Sequence, residues 1–318
     1  MTQTCWILTD GRKGTESNAL GLAEALCLEP ELHVIALKQP WKSLSPWLRP
    51  CKASFDPHRF VPAPPWPDIL ITAGRTPAVA SLYVGKQAGE QTVRLHITNP
   101  GIAAENFDLV IAPQHDRLSG DNIIPTLGSL HRMTPARLAA AKAEWEPFFS
   151  KSPRPWYGLL IGGSTRGLAL DAQAVDQVIL PFINEVSQSG GTILATASRR
   201  TDPALRARIG EALRAAGGYL WDETGNNPYA GILACADELA VTADSVSMLS
   251  EACSTDKPVW AMPLSGHNPK LERFLKKLTA GHHAHVFTGT LSKWLPVRIN
   301  DMNWVLPRVR RLLMARGK

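Results

Sequence analysis

The segment VTADSVSMLSEACSTDKPVWAMP, Val241–Pro263, shows the pattern that decides the fold of this chain. An apolar run ends in a polar loop that contains Asp244, Ser245 and Ser247, a helical pattern follows, and the apolar run PVWAMP closes the segment. Apolar runs bounded by turn residues and separated by helical patterns predict parallel strands joined by helical crossovers. The helical part carries one acid, Glu251, so a carboxylate follows closely behind a predicted strand end.

The same rhythm occurs along both halves of the 318-residue chain. The first half contains CWILTDG, LHVIAL, DILITAG, VRLHIT and FDLVIA, and the second contains WYGLLIGG, TILATAS, YLWD, ELAVTAD and PVWAMP. A chain of this length exceeds what one hydrophobic core usually serves. The sequence therefore predicts two α/β domains of similar size, each built on a parallel sheet.

A helical segment that ends in prolines marks the predicted domain boundary. In TPARLAAAKAEWEPFFSKSPRP, Thr134 suits the N-cap position and Pro153 ends the helical pattern. We expect residues 1–150 to form the first domain together with this linker helix, and residues 151–300 to form the second. Residues 301–318 are expected to form a basic helix that packs back on the first domain.

Composition narrows the class of protein. With 44% hydrophobic and 19% charged residues, the chain is typical of globular proteins and not of disordered ones. The net charge of +6 favours anionic partners such as phosphates or acidic lipid headgroups, and no nucleic-acid partner is expected. The basic end, RVRRLLMARGK, is typical of a solvated helix face, with a membrane or nucleic-acid contact as the alternative.

Cysteine usage and hydropathy indicate the compartment. The five cysteines are widely spaced and form no CxxC pair, which argues against a disulfide framework or a zinc site. No apolar run approaches the roughly 18 residues of a membrane span, and the run CWIL is too short for a signal peptide. We therefore expect a cytoplasmic protein that is at most peripheral at the inner membrane face.

A glycine-containing loop follows the first predicted strand in TDGRKGTESNALGLAEAL, Thr9–Leu26. Glycine permits positive φ and close backbone approach, and a helix start presents amides without partners, so the loop suits an anion or an acceptor. A plain tight turn is the alternative, because the pattern is neither GxxxxGK[ST] nor GxGxxG. The candidate residues of this loop are Gly11, Arg12, Lys13, Gly14, Thr15 and Asn18.

Two further strand-end loops, IGGSTRG and TASRRTDP, occur in the predicted second domain. Open α/β sheets bind ligands outside the carboxyl ends of their strands, and adjacent arginines suit bidentate contacts with phosphate or carboxylate. A simple turn and an exposed cationic loop are the respective alternatives. The candidate ligand-binding residues of these loops are Gly162, Gly163, Ser164, Thr165, Ser198, Arg199 and Arg200.

A histidine cluster and three tryptophans elsewhere in the sequence are not expected to bind a ligand. The cluster GHHAH, with His282, His283 and His285, has no acid or cysteine at ligand spacing, so no metal site is predicted. Packing is the expected role of three tryptophans in the proline-rich region, Trp41, Trp47 and Trp66.

Several segments resemble known families. PDILITAG, IGGSTRG and ACADELAVTADSVSMLSEACSTDKPVWAMP resemble segments of GT-B glycosyltransferases, in the order found in the N-acetylglucosamine transferase that makes the lipid-linked peptidoglycan precursor. TDGRKGTESNALGLAEAL, IAPQHDRLSGDNIIPTLGSLHRMTP, TASRRTDP, ETGNNPYAGILACAD and TADSVSMLSEA resemble the mitochondrial-fission ELM ("elongated mitochondria") family more closely, over nearly the full length. The resemblance implies a GT-B-like fold, in which two Rossmann-like, doubly wound domains face a cleft.

The resemblance also implies roles for individual residues. Glu251 matches the glutamate that binds the ribose hydroxyls of a nucleotide-sugar donor, with an exposed helix acid as the alternative. The implied donor site includes the residues at the start of that helix, Asp244, Ser245, Val246, Ser247 and Met248. These families commonly carry a histidine where this chain has Thr15, so a histidine base is excluded there. The remaining candidate bases on first-domain loops are Asp10, Glu16, His115 and Asp116.

The expected function is metal-independent transfer of a sugar from a nucleotide-diphosphate donor to an envelope or lipid-linked acceptor, without a cofactor. Helix-end amides and arginine or lysine side chains would stabilise the departing diphosphate. A non-catalytic GT-B-like scaffold that binds a partner or a membrane surface is the alternative, because Thr15 replaces the histidine. A nucleotide-sugar epimerase is a weaker alternative, because that chemistry occurs on the same fold without a second substrate.

Overall fold

The computed structural model describes residues 3–45 and 47–318. The strands are β1 Cys5–Thr9, β2 Pro30–Val34, β3 Ile69–Ala73, β4 Val93–Ile97, β5 Leu109–Pro113, β6 Ile123–Thr126, β7 Trp156–Ile161, β8 Leu168–Ala169, β9 Thr192–Ala197, β10 Tyr219–Leu220, β11 Glu238–Thr242, β12 Val259–Met262, β13 Ser265–Gly266 and β14 His285–Val286. The helices are α1 Lys13–Ala25, α2 Trp41–Leu44, α3 Arg75–Ala88, α4 Pro135–Phe149, α5 Ala172–Ala174, α6 Leu180–Gln188, α7 Pro203–Ala215, α8 Tyr229–Cys235, α9 Val246–Cys253, α10 Pro269–Ala280 and α11 Met302–Ala315.

Unit 1 is one of two compact units and contains Met1–Arg132 and Asn300–Lys318. Its sheet is parallel, with the strand order β2-β1-β3-β4-β5-β6. Every residue of β1 is buried, because helices cover both faces of a parallel sheet and leave no solvated side. Residues of α1 and α11 pack on one face and residues of α3 pack on the other.

Unit 2, Met133–Ile299, repeats this architecture. Its main sheet is also parallel, with the order β10-β9-β7-β11-β12-β14. Helices α6 and α7 pack on one face through side chains such as Phe182 and Ile209, and β8 pairs with β13 in a separate antiparallel ribbon. The prediction of two Rossmann-like parallel-sheet units is confirmed.

The predicted domain boundary near residue 150 was wrong, because helix α4 belongs to unit 2. Phe149 at its end is 1% exposed and its ring stacks on Trp145, with 5.7 Å between centroids. Gly231 of α8 gives the indole its space, since a Cβ atom there would lie 2.4 Å from Trp145. The sequence placed the boundary at the two prolines that follow α4, which put the helix in the first domain. In the structure the apolar face of α4 packs on α8 of unit 2.

The proline-rich segment between β2 and β3 forms an irregular loop with defined anchors. The Lys38 amide donates to the Ser54 carbonyl at 2.8 Å, and the Phe55 ring is buried in the core of unit 1. Trp66 also packs there, against Trp6 with 6.3 Å between ring centroids. Trp47 was expected to be a packing anchor, but its side chain is 90% exposed, so this prediction was wrong.

Candidate functional site

The first candidate site lies at the carboxyl edge of the unit 2 sheet. Strands β7 and β11 are neighbours in the middle of this sheet, and the strand order runs outward from them in opposite directions. Loops that leave two such strands diverge and open a crevice, which is where doubly wound sheets bind ligands. The loop after β7 contains Gly162 and Gly163, and the loop after β11 contains Asp244 and Ser245.

The Asp244 carboxylate connects three of the strand-end loops. Its side chain is fully buried and accepts hydrogen bonds from the Gly163 amide at 3.2 Å, the Thr242 hydroxyl at 2.6 Å and an Arg200 guanidinium nitrogen at 2.8 Å. The Thr201 hydroxyl donates to the Gly162 carbonyl, which adds a second bond to the loop after β9. Asp244 therefore positions this edge of the sheet and does not present its carboxylate to a ligand.

Glycine is required at both positions after β7. A Cβ atom at Gly162 would lie 2.1 Å from Asp244 Oδ1, and one at Gly163 would lie 2.3 Å from the Arg200 carbonyl oxygen. The Gly162 amide donates to the Thr242 hydroxyl at 2.7 Å and the Gly163 amide donates to Asp244. The sequence had assigned these two glycines to the ligand, but their amides bond within the protein and their role is close loop packing.

The start of helix α9 provides donors beside this network. The Ser245 side chain caps the helix and accepts from the Met248 amide at 3.3 Å. The amides of Val246 and Ser247 belong to the first helical turn and have no carbonyl partner within the helix. Together with the helix dipole, these two amides suit a phosphate or another anion.

Glu251 lies one turn further along α9 and is 8% exposed, so it is not the exposed helix acid of the alternative interpretation. The Tyr229 hydroxyl, at the start of α8, donates a hydrogen bond to Glu251 Oε2. Burial raises the pKa of Glu251 to about 7, although the Tyr229 hydrogen bond acts in the opposite direction. The pKa of Tyr229 is raised well above its usual value by burial and by the neighbouring carboxylate.

Tyr229 and Thr242 were not predicted from the sequence, and Thr201 was recognised only as part of the strand-end loop TASRRTDP. Each of the three forms a hydrogen bond with a residue at least 22 positions away in the chain. Thr242 also bonds the nearby Asp244. Tyr229 stands in ETGNNPYAGILACAD, a segment with a clear family resemblance. The only sequence signal that could have identified Tyr229 as a site residue was its position at a helix start within this segment.

The remaining predicted residues of unit 2 line two separate cavities. Ser164 accepts from the Leu170 amide at 3.1 Å and, with Thr165, lines a cavity of about 380 Å³ beside the β8–β13 ribbon. Ser198 and Arg199 line a cavity of about 640 Å³ formed with α7 and β10, where Arg206 is paired with Glu223. The structure therefore distributes the predicted donor residues between the Asp244 network, α9 and these two cavities.

In unit 1 the loop after β1 also lies at a reversal of strand order, between β1 and β3. Gly11 has a φ of +83°, the left-handed conformation that favours glycine. The Thr15 hydroxyl donates to the Arg12 carbonyl at 3.0 Å, and a Cβ atom at Gly74 would lie 3.6 Å from the Thr15 methyl group. Thr15 thus lies where the loops after β1 and β3 meet.

The charged side chains of this loop are paired with each other. Arg12 is 3.4 Å from Asp10 and its side chain is 81% exposed, while Lys13 bonds Glu16 at 2.8 Å. Asn18 is buried, and its amide nitrogen donates to the carbonyls of Leu130 at 2.7 Å and Gly14 at 2.9 Å. Asn18 therefore ties α1 to the segment after β6, and its assignment to an anion or acceptor is not supported by these contacts.

His115 and Asp116 follow β5, and His115 is 2% exposed. Strands β3 and β4 lie between β1 and β5, so the two strand ends are about 14 Å apart, three steps of about 4.8 Å each. The four candidate bases therefore fall into two groups, with Asp10 and Glu16 after β1 and the other two after β5.

The histidine cluster has contacts typical of a surface structure. His285 stacks on Trp294 with 4.0 Å between ring centroids, and His283 Nδ1 lies 2.6 Å from the Val297 carbonyl oxygen. Across residues 3–45 and 47–318, no group of three or more histidine, cysteine, aspartate or glutamate side chains could hold a metal ion. Within the same ranges, no helix combines the length and apolar character needed to cross a membrane.

Solved structures of nucleotide-sugar enzymes share this fold. A UDP-GlcNAc 2-epimerase of Neisseria meningitidis bound to UDP-GlcNAc matches with a TM-score of 0.52 at 14% identity, over 98% of this chain and 91% of that protein. MurG of Acinetobacter baumannii matches with a TM-score of 0.50 at 14% identity, over 98% of this chain and 93% of MurG. At this level of identity the likeness establishes the GT-B-like fold.

Sequence comparison identifies the family. The Arabidopsis thaliana mitochondrial fission protein ELM1 is 30% identical over 282 residues, which cover 79% of this chain and 65% of the plant protein. The matched region thus spans slightly less than two thirds of that relative's length. The family model described as mitochondrial fission ELM1 matches residues 13–313. The chain belongs to the mitochondrial fission ELM1 family.

Proposed function

We propose that this protein is a metal-independent glycosyltransferase that takes a nucleotide-diphosphate sugar as donor and an envelope or lipid-linked molecule as acceptor. One observation carries the proposal, namely the buried Glu251 carboxylate behind the start of α9, at the crevice of the unit 2 sheet. A buried carboxylate is costly unless its oxygens are paired, and a carboxylate accepts hydrogen bonds from two oxygens. The site is therefore suited to a ligand that carries hydroxyl groups.

Three features would hold such a donor. Tyr229 bonds Glu251 Oε2, so the other oxygen of Glu251 would accept a hydrogen bond from a ribose hydroxyl. The first-turn amides of α9 would receive the diphosphate. Arg200 would supply a cation beside the diphosphate. The Arg200 side chain contacts Asp244 but remains 46% exposed, and a guanidinium has five N–H donors, so some of them are free to bind a ligand.

The proposed reaction forms a bond between an acceptor hydroxyl oxygen and the anomeric carbon of the sugar. The bond between that carbon and the diphosphate breaks, and the acceptor proton passes to a base. Helix-end amides and Arg200 would stabilise the charge on the departing diphosphate, which is the largest electrostatic demand of this step. The candidate bases remain those of unit 1, and Asp10 or Glu16 would act if the acceptor lies at the loop after β1.

Calorimetric titration of the full chain with uridine, guanosine, cytidine and thymidine diphosphates, and with their sugars, tests the donor site. We expect one nucleotide to bind and Glu251→Ala to weaken binding about tenfold or more. Glu211→Gln is the matched control, because Glu211 is an exposed acid of α7. Absence of binding at millimolar nucleotide would overturn the proposal.

The scaffold alternative is favoured by two observations in unit 1. Thr15 occupies the loop position where the resembling families carry a histidine, and the candidate bases are divided between two strand ends about 14 Å apart. A scaffold predicts nucleotide binding that is lost in Glu251→Ala, but no sugar transfer to any acceptor extract. A changed sugar in the absence of acceptor would instead indicate an epimerase.

A further inference from the structure

An exposed indole and an exposed leucine stand out on the surface of unit 1. Trp47 is 90% exposed and Leu44 is 52% exposed, and both lie between β2 and β3 in a surface segment whose described residues, 37–45 and 47–52, we name the Trp47 loop. Exposed aromatic and aliphatic side chains that lie together mark interaction sites more often than isolated ones do. The Trp47 loop is therefore a candidate contact surface.

Hydrogen bonds anchor described residues of this loop. The Trp41 indole donates to the Arg49 carbonyl at 3.2 Å, and Arg75 at the start of α3 donates to the Ser45 carbonyl at 3.1 Å. Ser45 is buried and Leu48 is half-buried, so these two residues of the loop pack on the protein. Because these residues are anchored, binding through the indole requires little additional ordering of them.

The charge around the exposed side chains has one sign. No acid occurs between Glu31 and Asp56. The segment between them carries four exposed cations, and none of the four has a carboxylate partner in the described part of the chain: Lys38, Lys42, Arg49 and Lys52. A cationic surface with a protruding tryptophan complements an anionic bilayer, where indoles lie at the headgroup level and basic side chains meet acidic lipids.

A cationic cavity adjoins the loop and fits a phosphate group. It has a volume of about 380 Å³ and includes Arg49, Lys86 and Arg94 in its lining. The Arg94 Nε atom is buried without a hydrogen-bond partner, and Asp108 Oδ2 lies 3.9 Å from it. Gly85 leaves room for the guanidinium, because a Cβ atom there would lie 2.1 Å from Arg94 Nη1.

We propose that the Trp47 loop and this cavity form a surface that binds bilayers containing anionic phospholipid. Trp47 and Leu44 enter the boundary between headgroups and acyl chains, the lysines of the loop face acidic headgroups, and the cavity takes one headgroup phosphate. The surface is separate from the nucleotide site proposed in unit 2, so either proposal stands or fails without the other. We assign the contact to this loop and not to the C-terminal helix, because Val305, Val309 and Leu313 of α11 are buried in the core of unit 1, although Trp304 and Met314 of that helix are exposed.

Sedimentation of the full chain with vesicles tests this proposal. We expect binding to vesicles of phosphatidylcholine with about one third phosphatidylglycerol, and at least about tenfold weaker binding to phosphatidylcholine alone. Trp47→Ala and the pair Lys42→Gln with Lys52→Gln should each reduce binding to the anionic vesicles about tenfold. These side chains are exposed, so thermal unfolding of the variants should match that of the natural chain.

Matched controls come from α11. Met314→Ala removes an apolar side chain that is 75% exposed, and Arg310→Gln with Arg311→Gln removes two exposed cations, so both should leave vesicle binding unchanged. Equal binding by Trp47→Ala, or loss only in the α11 variants, would overturn the proposal. Three other outcomes would also overturn it. The first is the absence of vesicle binding, and the second is a dimer that Trp47→Ala dissociates. The third is displacement of the protein from vesicles by millimolar inorganic phosphate, which would indicate a site for a free anion.

Discussion

Asp244 shows how a single side chain holds the candidate site together. Its buried carboxylate joins Gly163 of the loop after β7, Arg200 of the loop after β9 and Thr242 at the end of β11. This arrangement explains why an acid can lie beside a proposed diphosphate site. Its charge is balanced by a guanidinium and by hydrogen-bond donors, so the ligand is not exposed to an unpaired carboxylate.

Replacing Asp244 with asparagine should lower the free energy of unfolding by about 1–3 kcal/mol, because the change weakens charge-assisted hydrogen bonds to a buried group. Chemical denaturation measures the loss. Asp176→Asn is the matched control, since the Asp176 carboxylate pairs with Arg208 on the surface and exposed pairs contribute about 0–1 kcal/mol. Equal losses in both variants would contradict the structural role of Asp244.

The buried Glu251 carboxyl makes stability depend on pH in a defined direction. Its pKa is raised from 4.5 to about 7, so the native state binds a proton more tightly than the unfolded chain. This contribution is complete below about pH 4.5 and is lost as pH rises through about 7. Glu251→Gln should therefore gain up to about 3 kcal/mol relative to the natural chain between pH 4.5 and pH 8, as measured by denaturation at both values.

Tyr229 is expected to tune nucleotide affinity through the same carboxyl. Its hydrogen bond lowers the pKa of Glu251, so Tyr229→Phe should raise that pKa and leave more of the carboxyl protonated at pH 7. We expect weaker nucleotide binding by this variant at pH 7, with most of the loss recovered at pH 9, where the carboxylate form returns. Titration calorimetry at both pH values checks this, and a loss that does not depend on pH would contradict it.

At the scale of elements, helix α4 is the clearest case of assignment by packing. The helix begins at a capped threonine, Thr134, and ends before two prolines, which is also what a linker helix would show. The contact between Trp145 and Gly231, and the burial of Phe149, place it in unit 2.

Phe149→Ala should therefore destabilise unit 2 by about 3–5 kcal/mol, the cost of removing a fully buried aromatic ring. Phe148→Ala is the control, because the neighbouring ring is 44% exposed and its loss should cost less than about 1 kcal/mol. Denaturation followed by circular dichroism measures both. If the two variants behave alike, α4 does not pack as described.

At the scale of the whole molecule, the chain returns to unit 1 at its end. Helix α11 contributes Val305, Val309 and Leu313 to the core that also contains residues of α1. The Asp301 carboxylate accepts from the amides of Leu127 at 2.9 Å and Gly128 at 2.8 Å. Unit 1 is therefore complete only when both ends of its sequence are present.

Removal of residues 300–318 should thus unfold or strongly destabilise unit 1, because its sheet would lose the apolar cover that α11 supplies. Unit 2 should keep its structure in this variant. Limited proteolysis followed by mass spectrometry distinguishes the two units, and we expect rapid cleavage confined to residues 1–132. Protection of both units would contradict the assignment of α11 to unit 1.

Local patterns in the sequence were sufficient for most of the fold. Apolar runs at strand length and helical patterns between them predicted two parallel α/β units, since both signals depend on residues that are close together in the chain. The family resemblance singled out Glu251, and the structure buries its carboxyl within α9, against Tyr229 at the start of α8. The predicted loops after β7, β9 and β11 also proved to be neighbours.

Only the tertiary structure decided which of those residues face each other. The sequence grouped Gly162, Gly163 and Asp244 as ligand contacts, whereas in the structure they pack on one another and on Arg200 and join the strand-end loops. It did not pair Tyr229 with Glu251, place α4 in unit 2, or predict that Trp47 points to solvent. These features depend on contacts between residues that are distant in the chain, and such contacts leave no periodic signal in the sequence.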